Sequence, residues 1–119
     1  MKRQFAVALG AGVLAICAAC NTERKKECDQ LISALAPLDD EPLTSASLAR
    51  LRSAIDAQTL DDQPLHEYAS TLKSTLEVLW STLAVKEEPS PPDGTDDVVK
   101  AKIKQAKAAR DDVTHYCSE

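Results

Sequence analysis

Leu65-His66-Glu67-Tyr68-Ala69-Ser70-Thr71-Leu72-Lys73-Ser74-Thr75-Leu76-Glu77-Val78-Leu79-Trp80-Ser81-Thr82-Leu83 decides the fold of this chain. Leu65, Ala69, Leu72, Leu76, Leu79 and Leu83 are separated alternately by four and three positions, the heptad spacing that keeps one apolar line along a helix. Asp61, Asp62 and Pro64 stand in front of it as start signals, and neither glycine nor proline interrupts it before Pro89. A helix with one long apolar seam must bury that seam against other elements.

Those partners are legible on either side. The prolines fall in three places, Pro37 with Pro42, Pro64 alone, and Pro89, Pro91 and Pro92 together, and they punctuate the chain into four helices. The first runs from Asn21 or Thr22 to about Ala36, with Cys28, Leu31, Ile32, Leu35 and Leu38 on one face. A second starts after Thr44 or Ser45, both good caps, and carries Leu48, Leu51 and Ile55 to about Gln58. The fourth is expected to be capped by Thr95, with Asp96 and Asp97 favoured by the dipole in its first turn. Val99, Ile103, Ala106, Val113 and Cys117 form its seam among Lys100, Lys102, Lys104 and Lys107; Arg110 interrupts it, so Ala109 shares that place. After Gly10 and Gly12 only Gly94 remains, too few glycines for the tight turns of a β fold. Short connections between striped helices predict an all-α, antiparallel up-down-up-down four-helix bundle. Pairing of the third helix with a second chain as a coiled coil is the alternative.

The 119 residues amount to one domain. Hydrophobic residues at 44% and charged ones at 28% exclude both a disordered tail and a polytopic membrane protein. Aromatics at 3% and a net charge of −5 argue against nucleic acid as a partner.

Ahead of the bundle stands a different kind of sequence. Lys2 and Arg3 precede an apolar run from Phe5 to Ile16, and the small residues Ala18 and Ala19 precede Cys20. Charge, apolar stretch and small residues in that order form a secretory signal, which puts a signal peptide at 1–19 and one helical domain at 20–119. A retained membrane span is the alternative, at the short limit of length. Ile16-Cys17-Ala18-Ala19-Cys20 resembles the lipobox of bacterial lipoproteins, with Cys17 where that class commonly carries a branched aliphatic residue. The resemblance implies cleavage before Cys20, lipidation of its thiol and acylation (palmitate or a similar chain) of its amine, and therefore a membrane partner. Asn21, rather than Asp, implies the outer membrane, facing the periplasm or the cell surface. Cleavage after Ala19 without lipidation is the rival reading. Without Lys2 and Arg3 the chain keeps twelve basic residues against nineteen acidic ones, a net charge of −7.

If Cys17 leaves with the leader and Cys20 takes lipid, Cys28 and Cys117 remain. Two thiols in an oxidising compartment are expected to pair, and an even-numbered bundle places the start of its first helix beside the end of its last. A Cys28–Cys117 disulfide closing the bundle is the expectation; zinc binding by the pair lacks further ligands at suitable spacing.

Chemistry is sparse. No glycine-rich loop, serine elbow or His-Glu-x-x-His is present, so no catalytic residues are assigned and the chain reads as a non-enzyme without cofactors. His66 and His115 are expected at one end of the bundle, near Asp61, Asp62, Glu67, Asp111 and Asp112, and are weak metal candidates; as single first-turn and last-turn residues they are equally ordinary surface histidines. At the opposite end, Asp39, Asp40 and Glu41 are expected to join the acids of 87–97 in a negative tip suited to attracting a basic partner. The third and fourth helices outrun the second, so Leu79, Trp80, Leu83 and Val85 are expected to overhang it as an apolar partner-binding patch, unless Pro37, Leu38 and Leu43 fold over them. Arg24, Lys25 and Lys26 lie close to the anchor, where they meet headgroups or simply face solvent. Two functions compete: an envelope-anchored adaptor or inhibitor-type module for an unidentified protein, and a periplasmic small-ligand or metal carrier, with a passive structural role behind both.

Overall fold

The computed structural model describes residues 11–40 and 42–119, with side chains from residue 22 onward. The expected leader begins outside the described residues, and the side chain of Cys20 and all of Glu41 also lie outside them. The fold is all-helical: α1 (Ala11–Leu35), a 3-10 turn (Ala36–Asp39), α2 (Ser45–Asp56), α3 (Gln63–Lys86) and α4 (Thr95–Cys117). Among the described residues no helix is long and apolar enough to cross a membrane.

Local chemistry sets most of these limits. α1 begins ahead of Asn21 because nothing between Gly12 and Pro37 breaks a helix. At Pro37 the chain tightens into the 3-10 turn, with the proline in the first turn where its missing N–H costs nothing. Thr44 caps α2 through a reciprocal capping box with Ser47. Asp62 caps α3, its carboxylate accepting from Leu65 N at 3.2 Å. The cap of α4 departs from expectation. Gly94 holds the N-cap position at φ 85°, a left-handed conformation that glycine adopts without steric cost. Thr95 is instead the first helical residue, and its hydroxyl donates to Pro92 O at 2.6 Å, closing the turn beneath it.

All six seam residues of α3 are buried, none more than 3% exposed. Leu31 and Leu35 meet them from α1, Leu38 from the 3-10 turn, Leu48, Leu51 and Ile55 from α2, and Val99, Ala106 and Val113 from α4. Ile32, expected on the inner face of α1, is 37% exposed, one position off the line of Cys28, Leu31 and Leu35. Arg110 keeps its place in the α4 seam by extending out of it to Asp39. That guanidinium holds the Asp39 carboxyl below the usual carboxylate range.

α3 packs on α2 and α4, and α1 packs on the same two helices. The cross-links reveal how unequal lengths are reconciled. Along α3, Glu87 accepts from Ser45 N and Oγ at 2.8 and 2.6 Å, Glu77 meets Arg52 at 3.2 Å, and Lys73 meets Asp56 at 3.0 Å. α2, about 18 Å long, thus covers the half of α3 next to α4's start. Along α4, Cys117 meets Cys28, while Arg110 and Lys107 meet Asp39, so α1 and the 3-10 turn cover the other half. The expected overhang is therefore corrected. The connection between the 3-10 turn and α2 carries the chain to the level of Glu87, where Ser45 begins α2, and Leu38 (0% exposed) and Leu43 pack into the core. Leu79 and Leu83, at 0% and 2%, are core residues rather than an exposed patch.

The seam and the surface beside it should respond differently to truncation. Leu76→Ala should lower the unfolding free energy by about 2–5 kcal/mol in urea titrations, whereas Val78→Ala, at a position 48% exposed, should change it by no more than about 0.5 kcal/mol.

Candidate functional site

One end of the molecule gathers α1, the start of α3 and the end of α4. Cys28 and Cys117 are joined there, with Sγ–Sγ at 2.11 Å and Cα atoms 5.7 Å apart. Next to the bond, Tyr116 donates from Oη to Asp62 Oδ2 at 2.6 Å. Its ring packs tilted against Tyr68 at 5.4 Å, and the Arg24 guanidinium lies over it at 5.2 Å. Arg24 also donates to the Glu119 carbonyl at 2.8 Å. Glu27, only 7% exposed, accepts from Asp62 N at 3.1 Å. A carboxylate on α1 thereby satisfies a donor at the start of α3 that the helix itself leaves unpaired. Burial, with Asp62 as acceptor, pushes the Tyr116 phenol above its ordinary pKa, against the opposing pull of Arg24.

The sequence carried only a faint signal of this network. Glu27 stands one turn before Leu31 on the inner line of α1, and a carboxylate there demands a buried donor. Nothing local to Tyr116 announces Asp62, which lies 54 positions away. An open cavity of about 430 Å³ adjoins the disulfide, bordered by Arg24, Lys25, Asp29 and Ile32. Its mixed charges and breadth give no convergent set of ligating groups. His115 is exposed and pairs within its own helix turn with Glu119 at 3.5 Å, while His66 is exposed on α3. Among the described residues no three His, Cys, Asp or Glu side chains are grouped to hold a metal ion.

The opposite end is built by the α3–α4 connection. Of the four residues expected to bind a partner, Leu79 and Leu83 are in the core, Val85 is half-buried, and Trp80 is 37% exposed. Trp80 shares the line of α3 that carries Lys73 and Glu77, the two residues paired with α2. Val78 and Val85 stand on a different line of α3, and Val78 and Val98 are 48% and 47% exposed. Thr82, Val85, Pro92 and Val98 border a groove of about 380 Å³ there. Of the acids of the first connection, Asp39 is not part of this end. Asp39 lies beside Lys107 and Arg110, twelve and fifteen positions into α4, because α1 stops at Leu35, seven residues past Cys28. Asp39 therefore does not join the acids of 87–97.

The chain matches no family model, no curated protein and no solved structure.

Two measurements probe the disulfide end. Replacing both Cys28 and Cys117 with serine opens a loop of 89 positions and should lower stability by roughly 4–5 kcal/mol in denaturant titration. The Tyr116 phenol, with its folded pKa raised above the unfolded value, contributes stability at neutral pH that is lost as pH rises through the raised value. An ultraviolet titration should therefore contain a tyrosine ionising above the ordinary phenol range, and Tyr116→Phe should remove it.

Proposed function

We propose that this protein is a small envelope lipoprotein, cut before Cys20 and held to the membrane by lipid on that cysteine. In this reading its helical bundle is an antiparallel up-down-up-down module that binds another protein, as an adaptor or inhibitor does. The observation that carries the proposal is the Cys28–Cys117 bond, eight positions beyond Cys20. Structural disulfides persist in oxidising compartments, which agrees with export. With Cys28 and Cys117 joined, Cys20 is left for the chemistry that the lipobox-like sequence implies. Each buried methylene of an acyl chain contributes about 0.8 kcal/mol, and two or three chains hold a protein down where one barely does.

Support for the antiparallel order comes from the residues that meet across helices. Lys86 reaches Asp96 at 3.6 Å at one end of the α3–α4 pair, and Tyr68 meets Tyr116 at the other. Support for protein binding comes from the surface. With the seam of α3 filled from within the chain, Val78 and Val98 remain as large apolar side chains in contact with solvent. Such residues serve as interface anchors when a partner excludes water from them.

Expression in a bacterial host with membrane fractionation tests the anchor. The unaltered protein should sediment with membranes and incorporate labelled palmitate, whereas Cys20→Ser should appear unlabelled in the soluble periplasmic fraction. Equal partitioning of the two forms refutes the lipoprotein reading. Crosslinked co-purification from native membranes, with Cys20→Ser as control, tests the adaptor reading, which requires one reproducible partner protein.

A further inference from the structure

The groove at the α3–α4 connection has a chemistry of its own. Val85, Pro92 and Val98 form apolar walls, and the exposed Val78 prolongs them along α3. Gly94 lies at its edge, where an added Cβ would meet nothing within 4 Å. The groove holds about 380 Å³, near the lower end of the roughly 300–1,000 Å³ of small-molecule pockets, which also bring several polar groups to one point. Its dimensions and walls suit one or two aliphatic side chains better than a whole polar ligand.

The rim decides which side chains those are. Residues 86–98 contain five acids and one base. Glu87 is engaged by Ser45, whose two hydrogen bonds hold its carboxyl below the usual range, and Asp96 is engaged by Lys86. Glu88, Asp93 and Asp97 are exposed, and among the described residues none of them has an ion-pair partner. Asp93 lines the groove, while Glu88 and Asp97 stand within three residues of its walls Val85 and Val98; such carboxylates repel anions and would face their own copies if a second chain docked here. They attract and orient a cationic occupant.

We infer that this groove docks a cationic amphipathic segment of a partner protein. Aliphatic side chains of that segment enter between Val85 and Val98, and its lysines or arginines meet Glu88, Asp93 and Asp97. The inference rests on the reading of the chain as a protein-binding module and names the partner's chemistry. It also moves the binding surface from Trp80, on the α2 side of α3, to the side that faces α4's first turn.

Two synthetic amphipathic helices, one of leucine and lysine and one of leucine and glutamate, test it against the soluble Cys20→Ser protein. The leucine–lysine peptide should bind saturably, with affinity that falls as salt is raised, and the leucine–glutamate peptide should not bind. Val98→Lys should weaken binding about tenfold or more, that is by about 1.4 kcal/mol or more, while Trp80→Ala should leave it unchanged. Circular dichroism of Val98→Lys verifies its fold, and a photoreactive residue at position 98 of the otherwise unaltered chain should label the leucine–lysine peptide independently. Equal binding of both peptides, unchanged affinity in Val98→Lys, or labelling of a second copy instead of the peptide overturns the proposal. A native partner captured in crosslinking whose recovery is unaffected by Val98→Lys also overturns the groove assignment, and it leaves the adaptor reading standing. Absence of any native partner, with peptide binding intact, does the reverse.

Discussion

The uninterrupted apolar seam of α3 is the constraint on which the rest of the structure depends. From Leu65 to Leu83 it runs for about 27 Å, and every residue on it has to leave water. α4 is long enough to lie beside it throughout, but neither α1 beyond Cys28 nor α2 is. The chain meets the requirement by division. α1 with its 3-10 turn closes one half of the core and α2 closes the other, and the extended connection around Pro42 sets the shift between them. Leu38 and Leu43 serve the same end: a connection that changes level must carry apolar side chains, because it crosses the core that it is leaving.

That division explains which parts of the molecule could be read from the sequence. Helix positions followed from proline placement and from apolar periodicity, both local properties of the chain. The α3 seam and the caps at Thr44 and Asp62 accordingly agree with expectation. Vertical offset is not local. Helix lengths alone suggested a projecting α3–α4 hairpin, whereas the offset of α2 depends on how far the connection between the 3-10 turn and α2 can climb. Leu79 and Leu83, expected at the surface unless the first connection folds over them, belong to the core. Ile32 and Thr95 each missed their expected role by one position, for a related reason. A helical face is broad enough that a neighbouring residue can take the inner place, and a glycine with positive φ can take a cap from the threonine that follows it.

The two ends were legible to different degrees. With Cys17 and Cys20 set aside for the expected leader and lipid, cysteine parity pointed to Cys28 and Cys117, and the expected order of the helices agreed. The polar network around them was hidden, because Glu27, Asp62 and Tyr116 come together only after the start of α3 and the end of α4 converge on α1. At the other end, composition announced a concentration of acids but not its membership. Asp39 was drawn away by Arg110, and that pairing leaves the charges following Lys86 as the negative surface.

The disulfide also fixes how a mechanical load is shared. Tension entering α1 ahead of Cys28 divides at the sulfur atoms: one branch continues along α1 to the 3-10 turn, and the other passes covalently to the end of α4. The second branch runs the length of α4 to Gly94 without crossing the boundary between α1 and α2. A pull on the α3–α4 connection would therefore reach residue 28 through one helix and one covalent bond. The contacts between α1 and α2, which are the least continuous part of the packing, would be spared most of the strain.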